Sequence, residues 1–325
     1  MPIFNKSVLY EQARDLGFIP SQFEKMSRLI NILRFLNDSD ETSTSLALRG
    51  GTAINLTVFN LPRLSVDIDL DFTENLSKEE TRFKRDRINI LLDRYMSSEG
   101  YGKHVKTKYT HALDSHVYSY INAAGNNDNI KVEVVYTLRN HVFPTVTSAI
   151  IPTQIFDSLI IRTLSPIEIF AGKIVALCDR AAVRDLFDVN NLIKEKVLKN
   201  EEFIELRKCA VFYLAISGNV EDKGFKFERI RDISKRKLRS DLQPLLRKTD
   251  VFELESSLNN IYKFLADHIN ITANEFEFLQ EFFRGNYNPT LLFDDETASR
   301  IITHPMALWR QQNIQKEMDA IRSQL

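Results

Sequence analysis

Hydrophobic and polar positions change period several times along the chain, and each change marks an element. Residues 7–37 carry Met26, Leu29, Ile30, Leu33 and Leu36 at helical spacing, and Ser21 followed by Glu24 is a capping-box pattern ahead of them. The polar run Asn37–Ser45 interrupts this helix. Leu46-Ala47-Leu48 then enters Gly50-Gly51-Thr52 as a short strand, and Ala53–Phe59 resumes a helical pattern. From Leu64 the period becomes two: Val66, Ile68, Leu70 and Phe72 fall on one side, Ser65, Asp67, Asp69 and Asp71 on the other. That is a half-buried strand. A charged helix follows over about Lys78–Met96, and Lys106–Ile121 and Ile130–Leu138 predict strands joined by the Gly-Asn-Asn turn at 125–127. Ser165-Pro166-Ile167-Glu168 places an N-cap, a proline and a capping-box Glu in order before Ile169, Phe170, Ile174, Val175 and Leu177. Beyond about residue 200 every periodic segment reads helical. The pattern predicts an α+β protein: a mixed half over residues 1–195 and an all-helical half over 196–325.

The acidic strand carries the first chemical signal. Residues two apart on a strand lie about 6.6 Å from each other, and neighbouring carboxylates at that distance repel by roughly 2.5 kcal/mol at an effective dielectric near 20. A hard cation such as Mg²⁺ relieves that repulsion, which makes Asp67 and Asp69 candidate ligands; a solvated edge strand shows the same alternation. Gly50-Gly51-Thr52, between strand and helix, allows close backbone approach, and the helix start favours an anion. The second strand, Lys131-Val132-Glu133-Val134-Val135-Tyr136, puts Lys131 and Glu133 on one face. Beside the first strand, Glu133 adds a carboxylate near Asp67 and Asp69; otherwise Lys131 and Glu133 are a surface pair. On the helix begun at Ser165, Lys173, Arg180, Arg184, Asp185 and Asp188 stand out from an apolar stretch, as a site or as a surface salt-bridge network.

Composition narrows the picture only a little. A net charge of −1 leaves any nucleic-acid surface to a local patch, and residues 225–239 supply one with seven Lys or Arg against two acids. Arg247 and Lys248 are candidates to extend it. Two cysteines, Cys178 and Cys209, without metal-ligand spacing fit a reducing cytoplasm. The opening residues Met1–Lys6 lack an apolar signal core, and no run approaches a membrane span. The phenylalanines Phe276, Phe278, Phe282 and Phe283 have the spacing of a helical core, and His304 before Pro305 reads as a structural contact.

Taken in order, Gly50-Gly51-Thr52, Arg63-x-Ser65-x-Asp67-x-Asp69-Leu70, Lys131-x-Glu133, Lys173 and Arg184-Asp185-Leu186-Phe187-Asp188 resemble the AbiEii-type nucleotidyltransferase toxins, which include the mycobacterial MenT toxins, within the DNA polymerase β-type superfamily. The endings Tyr287-x-Pro289-x-x-Leu292-Phe293 and His304-Pro305-Met306-Ala307-x-Trp309 extend the likeness to about residue 310. The resemblance implies a mixed nucleotidyltransferase sheet with flanking helices, followed by a helical domain. It implies Mg²⁺ at Asp67 and Asp69, and the triphosphate at Gly50, Gly51, Thr52, Ser65 and Lys173. Nucleotide or acceptor positioning falls to Arg184, Asp185 and Asp188. Glu133 stands where the family commonly has Asp, a candidate base or ligand. The implied activity is transfer of a nucleoside monophosphate from an NTP to an RNA, the tRNA 3′ end foremost, by a toxin of a toxin–antitoxin or phage-defence pair with a cognate antitoxin. A cytoplasmic monomer is expected. The alternatives are a protein or small-molecule acceptor, and an inactive fold that binds RNA or a partner.

Overall fold

A computed structural model describes residues 5–150, 158–217 and 224–322. Met1–Phe4, which opened the signal-peptide reading, lie outside the described residues. Chain compactness defines two units that interleave along the sequence. The first comprises Met1–Arg139, Thr145–Leu164 and Gln243–Val251, the second Asn140–Pro144, Ser165–Leu242 and Phe252–Leu325. The fold is mixed α+β, with a central mixed sheet, flanking helices and a helical C-terminal region.

Among the described residues, the first unit is built on a sheet of eight strands: β1 (Leu46–Arg49), β2 (Asp67–Phe72), β3 (Gly102–Lys103), β4 (Lys108–Tyr109), β5 (Leu113–Ile121), β6 (Asn127–Val135), β7 (Val146–Ala149) and β8 (Ile160–Thr163). Their order is β3-β5-β6-β2-β1-β8-β7, with β4 also on β5. The acidic strand β2 is central, antiparallel to β1 and parallel to β6. Its apolar residues Ile68, Leu70 and Phe72 are buried, as the alternation requires. The predicted strand over Lys106–Ile121 is two pieces, β4 and β5, separated by a turn. The predicted helix over 7–37 is also two, Lys6–Asp15 and Pro20–Asp38, parted by a left-handed Gly17. Ser21 makes no cap: the second helix opens at Pro20, and Glu24 instead pairs with Arg28 and accepts the Ala123 N–H at 2.9 Å.

The second unit is helical. Its helix Glu202–Ser217 has an uninterrupted buried run from Cys209 to Ile216, the mark of a helix enclosed on every side. Burial pushes both thiols up, Cys178 to about 12 and Cys209 well above its ordinary value. The stretch after Ser165, continuous by pattern, is two helices, Pro166–Arg180 and Val183–Lys194. They are divided at Ala181, whose φ of 48° caps the first helix in the left-handed region. The expected capping box at Ser165 is not made. Glu168 is buried and accepts from the Val142 and Phe143 N–H groups at 3.0 and 3.1 Å and from the Tyr213 hydroxyl at 2.5 Å. Phe278 and Phe282 are core, while Phe276 is 37% exposed, a correction to the expected helical core. His304 is buried edge-on to Phe212 and accepts from the Ala307 N–H. No described helix is long and apolar enough to cross a membrane.

Candidate active site

In the first unit, register does what periodicity alone could not. Parallel pairing sets Asp67 against Lys131 and Asp69 against Glu133, and antiparallel pairing sets Arg49 against Asp69 and Ala47 against Asp71. Residues paired across neighbouring strands share a face. Asp67, Asp69 and Glu133 are therefore on one side of the sheet, on strands about 4.8 Å apart. Two bare carboxylates at that separation repel by about 3 kcal/mol at an effective dielectric near 20. Asp67 and Asp69 are half-buried.

Two cations temper this face. The Lys131 ammonium lies 2.8 Å from Glu133 Oε2. Burial alone would lower the lysine, but the hydrogen bond and charge of Glu133 and the charges of Asp67 and Asp69 hold it above its ordinary value. Asp71, on the same polar side of the alternation, is fully buried and pairs with Arg49, Nε to Oδ1 at 2.9 Å. The alternation places Asp71 with its neighbours but cannot show that Arg49 covers it.

The glycine turn abuts the acidic strand. Gly50 has φ +69°, and a Cβ built there would stand 2.7 Å from Asp69 Oδ2. A Cβ at Gly51 would stand 2.5 Å from Arg63 Nη2 and 3.4 Å from Ser65 Oγ. A side chain at either position would thus displace Asp69 or Arg63, and Gly50 also holds a left-handed conformation that favours glycine. They open the helix Gly50–Thr57, whose N-cap Arg49 offers no side-chain cap. Thr52 is buried; its hydroxyl donates to the Asp67 carbonyl and lies 2.8 Å from Ser65 Oγ. Its single proton therefore ties the turn to the strand. Arg63, in the same motif as Ser65 and Asp67, lies at this turn as well. It is 2% exposed, donates to the Leu64 carbonyl at 3.0 Å and lies against Gly51. A lone arginine amid Leu61, Pro62 and Leu64 was its signal. Nearby, Arg247 is half-buried over the Phe18 ring and donates to the Asn60 carbonyl.

Two half-buried carboxylates beside a glycine turn fit Mg²⁺, which keeps several waters and takes one or two protein carboxylates plus substrate oxygens. Among the described residues no group of three or more His, Cys, Asp or Glu could hold a metal ion.

In the second unit, the break at Ala181 folds the helix Val183–Lys194 back on Pro166–Arg180. Lys173 Nζ lies 2.8 Å from Asp185 Oδ1 and 3.0 Å from Asp188 Oδ2, and Arg180 Nη2 lies 2.7 Å from Asp185 Oδ2. Lys173, Asp185 and Asp188 are all buried, so this is no surface network. Arg184 is exposed, and Asp179 pairs with Arg229. The basic segment is a 3₁₀ turn Phe227–Asp232 and a short helix Lys235–Lys237. Ile230 and Ile233 are buried beneath it, and Arg229, Arg231, Lys235, Arg236, Lys237 and Arg239 are exposed. Phe225 and Phe227 stack with ring centroids 5.6 Å apart, and Arg231 sits over the Tyr262 ring.

The sequence profile described as "Nucleotidyl transferase AbiEii toxin, Type IV TA system" matches residues 34–267. Among solved structures, MenT4, a nucleotidyltransferase toxin from Mycobacterium tuberculosis, is similar at 13% identity and a TM-score of 0.61, over 94% of this chain and 99% of that one. At that identity the likeness concerns the fold. No curated protein matches the sequence.

Proposed function

Because the chain belongs to the AbiEii nucleotidyltransferase toxin family of type IV toxin–antitoxin systems, we propose that it transfers a nucleoside monophosphate from an NTP to RNA. The proposed acceptor is the 3′ end of tRNA, where the added nucleotide blocks aminoacylation; phage defence is the proposed setting and the cytoplasm the proposed compartment. The observation that supports this most is the shared face of Asp67, Asp69 and Glu133 beside a glycine turn that admits no side chain at Asp69.

In the proposed reaction, the acceptor hydroxyl oxygen bonds to the α-phosphorus, the bond to the bridging oxygen of pyrophosphate breaks, and the hydroxyl proton leaves to a base. Mg²⁺ held by Asp67 and Asp69 would supply charge neutralisation at the triphosphate. The chain's own share is positioning. Gly50 and Gly51 bring main-chain N–H groups to the phosphates, with Ser65 beside them. Thr52 fixes the turn to β2 through the Asp67 carbonyl. Glu133, opposite Asp69, is the neighbouring-strand carboxylate for the proton or the ion. Lys173, Asp185, Arg184 and Asp188 are proposed to act on nucleotide or acceptor, as the resemblance implies. The exposed cations of residues 229–239 are the proposed contact for the RNA backbone.

The test is incubation with each labelled NTP, Mg²⁺ and total tRNA, followed by sequencing of 3′ ends. Added nucleotides at tRNA termini support the reading. Label on protein alone replaces the acceptor, and no transfer to any acceptor leaves a binding function.

A further inference from the structure

Asp67, Asp69 and Glu133 occupy two alternate rungs of the β2–β6 ladder, on either side of the Ile68–Val132 pair, and the fourth position of those rungs is Lys131. The lysine is paired with Asp67 in register, and its ammonium reaches Glu133 Oε2 at 2.8 Å. A basic residue on this face is costly for a site meant to gather cations, because its charge opposes every ion that enters. It is useful if the site is to hold only one. Three carboxylates and one ammonium carry a net formal charge of −2, which a single divalent ion neutralises; a second ion would meet a repulsive face.

We propose that Lys131 is a positioning residue that takes the place of a second resident cation, holding Glu133 out of the ligand set so that Asp67 and Asp69 bind a single divalent ion before nucleotide arrives. The inference rests on the proposed metal site and settles the role of Glu133 within it: a carboxylate kept for the acceptor side rather than a third ligand. Lys131 is 37% exposed, so its removal leaves no buried cavity.

The test is Mn²⁺ titration of the full-length protein without nucleotide, followed by electron paramagnetic resonance and calorimetry, on wild type, Lys131→Met, Lys131→Arg, Glu133→Gln and Asp69→Asn. Wild type and Lys131→Arg are expected to bind a single Mn²⁺. Glu133→Gln weakens binding by no more than about tenfold, the effect of a lost charge nearby rather than of a lost ligand. Lys131→Met gains a second ion or binds the first about tenfold tighter, as loss of a like charge at this range requires. Asp69→Asn loses binding. If Glu133→Gln loses Mn²⁺ as Asp69→Asn does, or Lys131→Met titrates as wild type, the role of Lys131 is overturned while the metal site stands. If wild type binds no Mn²⁺, or Asp69→Asn binds it unchanged, the metal reading itself fails and this inference with it. Circular dichroism confirms that each variant is folded.

Discussion

Gly50→Ala separates geometry at the candidate site from general stability. Gly50 has φ +69°, a region that costs an L-residue about 1–2 kcal/mol. The new Cβ would also lie 2.7 Å from Asp69 Oδ2, where ordinary contact begins at 3.4 Å, so the carboxylate must retreat by about 0.7 Å. A misplacement of that size at a reacting centre costs roughly ten- to a hundredfold in rate. Gly125 supplies the control, with φ +87° and nothing within 4 Å of a built Cβ. Gly125→Ala therefore carries backbone strain alone. Urea unfolding is expected to show comparable losses of about 1–2 kcal/mol for the two variants, whereas label transfer from an α-labelled NTP falls only for Gly50→Ala. Equal transfer by the two folded variants would refute the claim that the glycine exists to seat Asp69.

Lys173→Ala removes the ammonium shared by Asp185 and Asp188, 1% and 0% exposed, while Arg180 stays on Asp185. A loss of about 3 kcal/mol in urea unfolding is expected, partly restored by adding Asp188→Asn; an unchanged midpoint contradicts the buried cluster. Glu168 is held below its ordinary value: burial opposes this, but His141, the Tyr213 hydroxyl and the Val142 N–H outweigh it. Its stabilisation is thus present above the unfolded value of about 4.5 and lost as pH falls through the lower folded value. Glu168→Gln should flatten the decline of urea midpoint below pH ~4.5, and an identical slope would contradict it. Reversing Arg236, Lys237 and Arg239 to Glu should weaken RNA binding across sequences and reduce its salt slope by about 2, measured by filter binding. An unaltered slope removes the segment from the RNA interface.

What was legible in the sequence was what short periodicity and glycine chemistry write locally. Val66, Ile68, Leu70 and Phe72 declared β2, and the Gly50-Gly51 turn declared a close approach. What was not legible depends on distant partners. Ser165 and Glu168 spell a capping box, but the N–H groups of Val142 and Phe143 claim the carboxylate. Glu24 is claimed likewise by Arg28 and the Ala123 N–H. The helix break at Ala181 has no glycine or proline to announce it, and its sign is instead the distant pairing of Lys173 with Asp185 and Asp188 across the two helices. Lys131 and Glu133 were visible as a same-face pair, yet only the register with Asp67 and Asp69 gives that pair a consequence.

The most direct measurement of the central claim is transfer of α-labelled NTP to total RNA by wild type and by Asp67→Asn and Asp69→Asn, resolved into RNA and protein fractions. The expected result is label at RNA 3′ ends with wild type and none with either variant, all three chains being folded. Label that persists with the variants, or that appears only on protein, contradicts it.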